Sequence, residues 1–174
     1  MEFKVDEASK QCTFVADIGY ICPLRFTMED LSIVAFLDCS PGVQRQVAEA
    51  LLEEWGETLG IDSIEAAIAL ILKQWSSSDI MYVMASNKNV LGFTAVDRKN
   101  FYPCISHLYV LPKYRGNGYS TMLMAIAETY IAHMHFTQAM IWCKPELVEF
   151  YKKNGYTIDK VLETNVVVMK KMLI

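Results

Sequence analysis

The run from Leu108 to Ser120, L-Y-V-L-P-K-Y-R-G-N-G-Y-S, constrains the fold of this chain more than any other stretch. An apolar strand ends at Val110, Pro112 breaks it, and a helical pattern begins at Gly118. Gly116 and Gly118 let the intervening backbone take positive φ and approach a ligand closely. A strand that feeds a helix and then a further short strand, Ala139 to Cys143, makes an α/β-like crossover region. The same run is built as an anion site. Amides at a helix N-terminus point outward, the helix dipole favours negative charge there, and Arg115 adds a fixed positive charge. The expected ligand is a pyrophosphate, although neither G-x-x-x-x-G-K-[ST] nor the third glycine of the dinucleotide fingerprint is present. A bare G-x-G would be read equally well as a turn before a core helix; the strand and helix around it make the segment more specific.

The rest of the pattern sets this crossover in a mixed architecture. Residues 1–30 are the least readable; Thr13 to Tyr20 has strand-like composition. Leu31 to Leu37 reads as a buried strand closed by the turn cluster Asp38 to Gly42. A helix follows to Leu59, with Ser40 as N-cap and Pro41 at its first position. Val43, Val47, Ala50, Leu51, Trp55 and Leu59 mark its buried face, and Gly60 ends it. Asp62 or Ser63 caps a second helix, Ile64 to Trp75, stopped by Ser76 to Ser78. Met81–Ala85 and Val90–Val96 form a hairpin, Asp97 to Asn100 turns, and Ile105–Val110 completes a meander. The helix from Gly118 to His133 carries Met122, Leu123, Ile126, Tyr130 and Met134 on one face. Pro145 to Lys153 is a short helix stopped by Asn154-Gly155, and Tyr156–Val161 with Val166–Met172 is a closing hairpin. The C-terminal strand fits an interior place in a sheet and pairing with a second subunit equally well.

With 174 residues the chain is expected to be a single domain, residues 1–30 being an extension to a core at 31–172. A hydrophobic fraction of 53% supports a sizeable core. The net charge of −4 argues against a nucleic-acid coat protein. No apolar run approaches a membrane span, and the N-terminus has no secretory pattern. Five scattered cysteines without C-x-x-C spacing suggest reduced thiols in a cytoplasmic setting, with neither a disulfide framework nor a metal site.

Two motifs carry a family resemblance. Arg115-Gly116-Asn117-Gly118-Tyr119-Ser120 is similar to [QR]-x-x-G-x-[GA], the coenzyme-binding motif of the GNAT superfamily of N-acetyltransferases, with Ser120 in place of the last glycine or alanine. Phe150-Tyr151-Lys152-Lys153-Asn154-Gly155-Tyr156 is similar to the family's F-Y-x-x-x-G-[FY]. The resemblance implies an α+β fold: a mostly antiparallel sheet of six to seven strands, a central splayed parallel pair and about four flanking helices. It implies acetyl-CoA as coenzyme. Leu108, Tyr109 and Val110 would pair with its pantetheine arm, and the amides from Gly116, Asn117, Gly118, Tyr119 and Ser120 to Thr121 would hold its pyrophosphate. Tyr151 would protonate the leaving thiolate. Lys144 stands where the family often has asparagine, and would meet a phosphate instead.

The acceptor amine must lose a proton, since an alkyl amine has a pKa of about 10.4. The family's usual glutamate position is occupied by Ser106 here. Its neighbour His107 titrates in the right range, although strand alternation would turn it toward the opposite face. Asp97, Glu53, Glu54 and Glu57 are further candidates, as bases or as anchors for a cationic substrate. An acidic helix carrying Trp55 suits a diamine or polyamine such as putrescine or spermidine, through charge and cation–π contact, and equally suits a solvated face around a buried indole. The chain also resembles the family's small-amine branch, including polyamine acetyltransferases of viral origin, which would place it in a host cytoplasm. A peptide or protein N-terminal acetyltransferase and a non-catalytic CoA-binding module remain alternatives. Cys104 and Cys143 read as small buried hydrophobes, so direct transfer in a ternary complex is expected. The partners expected are a small-molecule amine and, in the assembly, either no second chain or one identical copy.

Overall fold

The computed structural model describes residues 2–6, 11–15, 21–25, 31–75, 79–98 and 101–173. Strands β1 (Glu2–Asp6), β2 (Gln11–Val15) and β3 (Ile21–Arg25) form an antiparallel meander of their own. The strand expected at Thr13–Tyr20 therefore begins earlier, and residues 16–20 lie outside the described ones, as do the serines 76–78 and the turn residues 99–100.

The main body is one seven-stranded sheet. Its strands are β4 (Leu31–Ala35), β5 (Ile80–Ser86), β6 (Asn89–Asp97), β7 (Cys104–Val110), β8 (Gln138–Cys143), β9 (Thr157–Val161) and β10 (Val167–Met172), in the spatial order β4-β5-β6-β7-β8-β10-β9. Every pair is antiparallel except β7 and β8. The β5–β6 hairpin closes tightly because Asn87 and Lys88 both take positive φ, the geometry a two-residue turn needs to match strand twist. Strand β10 lies between β8 and β9, so the open question about it resolves to an interior place.

Among the described residues four α-helices cover the sheet: α1 (Pro41–Leu59), α2 (Ile64–Gln74), α3 (Tyr119–His133) and α4 (Val148–Lys153). The three-and-four spacing of α1 buries Val43, Val47, Ala50 and Leu51, and Gly60 ends it in the left-handed region at φ 66°. Ser40 occupies the N-cap position without a side-chain capping bond, whereas Ser63 Oγ accepts from the Ala66 amide and caps α2. The strand expected to reach Leu37 stops at Ala35, because Phe36 turns into the core through a 3₁₀ turn, Phe36–Asp38. The helix expected from Pro145 is divided, a 3₁₀ turn at Pro145–Leu147 preceding α4. Helices α1 and α2 pack on Met81, Val83, Phe93, Ala95 and Tyr109, while α3 and α4 share clusters with Val96, Ile105, Ile141 and Met169.

Gly92 shows how closely β6, β7 and α3 are fitted. A Cβ at this position would run into the Tyr109 carbonyl and would stand 3.0 Å from Leu123 Cδ1 and 3.2 Å from Val110 Cα. Backbone atoms of a central strand cannot yield cheaply. Gly92→Ala is expected to destabilise the protein by about 1–3 kcal/mol, the usual range for overpacking. At roughly 2–4 °C per kcal/mol for a chain of this size, thermal unfolding should show the loss clearly, and an unchanged Tm would contradict the fit.

Candidate active site

The parallel pair opens almost as soon as it forms. Strands β7 and β8 are in register only at Cys104–Met140 and Ile105–Ile141. Beyond these pairs β7 continues to Val110 alone, leaving a wedge between the strands whose β7 wall is residues 106–110. At the end of that wall comes the glycine loop. Gly116 and Gly118 take φ 79° and 78°, and a side chain at Gly116 would meet nothing within 4 Å. Gly118 is the N-cap of α3, and the helix ladder starts with the Met122 amide donating to the Gly118 carbonyl. The amides of the first turn thus precede the ladder and face outward. Arg115 is more than a free charge: its Nε donates to the Val110 carbonyl at 3.0 Å, and its guanidinium lies 5.5 Å from the centre of the Tyr109 ring. Asn117 Nδ2 donates to the Tyr114 and Arg115 carbonyls and holds the loop in shape.

The second motif is tied to the first. Thr121 Oγ1 donates to Asn154 Oδ1 at 3.3 Å, and Asn154 Nδ2 donates to the Phe150 carbonyl at 2.8 Å. The N-terminus of α3 and the C-terminus of α4 are therefore one unit. Tyr151 on α4 is 7% exposed, its ring edge-on to Phe150 and Tyr156. Burial, then the neighbouring Cys143 and Cys104 thiols, push its hydroxyl up to about 12. Both cysteines are buried as expected. Burial, with Asp97 adding to it, pushes the Cys104 thiol up to about 12, and burial and Glu146 raise that of Cys143. These thiols stay protonated, which makes them poor nucleophiles. Lys144 is exposed directly after β8.

The opposite side of β7 is shaped by a bulge. Ser106 stands opposite Ala95 and Tyr109 opposite Phe93, and both partners pack under α1 and α2. Strict alternation from Ser106 would turn His107 to the other face. Instead the register shifts between Phe93 and Ala95, and His107 takes φ 51°. The imidazole consequently lies on the α1–α2 side, edge-on to Trp55 at 5.1 Å and to Trp75 at 5.0 Å between ring centres. Trp55 also meets Tyr109 at 5.5 Å and Phe93 at 6.3 Å. Burial lowers the His107 pKa, partly offset by the Asp97 carboxylate, so the ring is neutral at pH 7. His107 Nδ1 and Ser106 Oγ are buried without a hydrogen-bond partner among the described residues.

Acidic groups flank this aromatic wall. Asp97 Oδ1 accepts from Trp75 Nε1 at 3.2 Å and from Gln74 Nε2 at 3.4 Å. After burial, Glu54 is the main influence raising the Tyr109 hydroxyl, with Glu53 adding to it and Arg115 opposing. Glu57 is exposed one turn further along α1. The wall thus gathers His107, Trp55, Tyr109 and Asp97, with Glu53 and Glu54 near its edge. Trp75 is the residue that sequence reasoning passed over. It reads as the end of a helix, and only the packing of α2 against β6 reveals that its indole faces His107.

The family model of the GNAT acetyltransferase domain matches residues 42–173, and the chain belongs to that family. Acetyl-CoA is the acetyl donor of these enzymes. No relative is found by sequence among curated proteins. Solved structures share the fold. An aminoglycoside 6'-N-acetyltransferase complexed with coenzyme A superposes with a TM-score of 0.71 at 17% identity, covering 82% of this chain and 97% of that chain. A chimera of the Vibrio cholerae spermidine N-acetyltransferase gives 0.65 at 17% identity over 83% and 96%. The Thermoplasma acidophilum PaiA N-acetyltransferase, in complex with coenzyme A, gives 0.60 at 18% over 82% and 98%. Among the described residues no helix is long and apolar enough to cross a membrane.

The residues present suit acetyl-CoA. The glycine loop offers open backbone at Gly116, outward amides at a helix start and an adjacent arginine, which is what a pyrophosphate requires. The wedge beside residues 106–110 leaves strand edge for an extended arm to pair with.

Proposed function

We propose that the protein transfers an acetyl group from acetyl-CoA to a primary amine of a small cationic molecule, best fitted by a diamine or polyamine such as putrescine or spermidine. The observation that carries this reading is the wall formed by Trp55, Trp75, His107 and Tyr109, edged by Asp97, Glu53 and Glu54, beside the β7–β8 wedge. The half-buried Trp55 ring and the exposed carboxylates of Glu53 and Glu54 together select a chain of methylenes carrying several ammonium groups. Glu57 extends the negative rim of α1.

Bound acetyl-CoA supplies the activated thioester. The amides of Gly116 to Thr121, with Arg115 and Lys144 nearby, are assigned to its phosphates, and the backbone of Leu108, Tyr109 and Val110 to its arm. His107, neutral at pH 7, accepts the proton that the acceptor must lose, directly or through water. Tyr151 presents its hydroxyl proton to the departing sulfur. The proton taken from the acceptor passes from His107 to solvent, the C–S bond breaks with its electron pair on sulfur, and the thiolate, hydrogen-bonded by Tyr151, takes its own proton from solvent.

An assay of thiol release with acetyl-CoA and a panel of amines tests this. Diamines and polyamines should exceed a monoamine of matched length by at least about tenfold in kcat/KM, the equivalent of about 1.4 kcal/mol for the second charge. Aminoglycosides and peptides with free N-termini complete the panel. Turnover with peptides alone, or coenzyme binding without turnover on any amine, would replace this reading with one of its two alternatives.

A further inference from the structure

His107 is held between two indoles that are themselves held differently. Trp55 is half-buried on α1, whereas Trp75 is 3% exposed and donates through Nε1 to Asp97 Oδ1. That bond, with the Gln74 amide on the same oxygen, joins the end of α2 to the end of β6 beside the bulge. The His107 backbone is left-handed, a conformation that a residue with a Cβ keeps only where its surroundings over-determine it. Its Nδ1 has no hydrogen-bond partner among the described residues. Among the described residues the two indoles, packed edge-on, hold the ring.

We propose that Trp75 and Asp97 form a positioning pair for His107, Trp75 walling the imidazole from water while it fixes the place from which the Asp97 carboxylate acts on the ring. The proposal rests on the assignment of His107 as the base and names what tunes it. The surrounding elements bring few other charges. Helix α1 carries Glu53 and Glu54 beside Tyr109, α2 contributes the uncharged Trp75 and Gln74, β6 contributes Asp97, and β7 contributes the protonated Tyr109 and Cys104. Desolvation disfavours imidazolium and an adjacent carboxylate favours it, so the two members of the pair pull in opposite directions.

This opposition gives the test its sign. The His107 imidazole is titrated by NMR in the full chain, which has only 3 histidines, in the Asp97→Asn and Trp75→Phe proteins. Asp97→Asn removes the favourable charge and should move the titration to lower pH. Trp75→Phe admits water and leaves Asp97 with one donor fewer, and should move it to higher pH. The acid limb of kcat/KM for the amine should follow in the same directions. In Trp75→Phe, turnover at pH 7 should also fall roughly tenfold or more, as expected for a displaced catalytic group, with coenzyme affinity unchanged. Asp97→Glu, which keeps the charge, should return the titration toward wild type. A merely structural contribution would loosen the wall in both variants and carry His107 toward its solution value, upward in both. An upward or absent shift in Asp97→Asn, or a downward or absent one in Trp75→Phe, overturns the proposal, and the downward shift in Asp97→Asn is the result that a merely structural role does not give. Wild-type turnover in His107→Gln would remove the base assignment and leave the titration signs to decide the pairing.

Discussion

Gly118→Glu is expected to abolish acetyl-CoA binding while leaving the fold in place. Two local terms act on folding, and they oppose each other. A Cβ at φ 78° costs on the order of 1–2 kcal/mol. A carboxylate at the start of α3 recovers about 0.3–1 kcal/mol from the helix dipole. The net effect on a chain with a core of this size is small, and Tm should drop by a few degrees at most. The coenzyme meets a different situation. The new carboxylate would stand where the outward amides are assigned to a pyrophosphate. Two like charges about 4 Å apart repel by about 4 kcal/mol at an effective dielectric of 20, which is on the order of 10³-fold in affinity. Calorimetric titration with coenzyme A measures this directly. Gly118→Ala introduces the backbone strain without the charge and should lose much less. Equal losses in the two variants would trace the effect to the shape of the loop, and unchanged affinity in Gly118→Glu would remove the phosphate assignment from this helix.

Where the chain's own local chemistry decides structure, the sequence was readable. Pro41 and Gly60 bracket a helix whose apolar spacing could belong to nothing else, and α1 spans Pro41–Leu59. The glycine loop and the strand before it carry their own signals, and the splayed parallel pair that the family resemblance implied is present. Phe36 shows the limit. Its apolar run reads as more strand, but burial of that one ring turns the backbone out of the sheet. His107 shows a deeper limit. Alternation along β7 is a local rule, whereas the bulge arises from how β7 is paired with β6, fourteen residues earlier in the ladder at Phe93. Nothing within residues 104–110 announces it. Trp75 and Asp97 lie 22 positions apart and meet only because α2 lies over the sheet, so the wall that they build with His107 was legible as separate residues and not as a site.

The bulge also sets what β7 shows to the helices around Ser106. Strand β7 presents Ser106 and His107 in succession toward the same helices, a placement that an unbroken strand denies to neighbours. The price of that arrangement is the left-handed backbone at His107, and the two indoles hold the ring that it presents.

Tyr151→Phe is expected to lower kcat by about 10²–10³-fold, the usual cost of removing one hydrogen-bond donor from developing negative charge, with the affinity for coenzyme nearly unchanged. The ring itself is structural: it is buried, edge-on to Phe150 at 5.0 Å and to Tyr156 at 6.0 Å, and phenylalanine keeps those contacts. What changes is one hydroxyl among the buried thiols of the wedge. With its pKa pushed up to about 12, that hydroxyl is fully protonated from pH 6 to pH 10, so the ratio of wild-type to variant turnover should stay constant across this range. A tyrosine, at about 10, is already a weaker acid than an ordinary thiol, at about 8.5, and the elevation widens the gap. Complete proton transfer to a free thiolate would then run uphill. The hydroxyl instead donates a hydrogen bond that strengthens as charge gathers on sulfur, in a site dry enough to magnify it. A ratio that fell toward unity as the pH rose would mean that Tyr151 ionises within the range, contrary to its burial. Wild-type turnover in Tyr151→Phe would mean that the sulfur leaves without a donor from α4, and the link between Thr121 and Asn154 would then be this helix's whole contribution to the site.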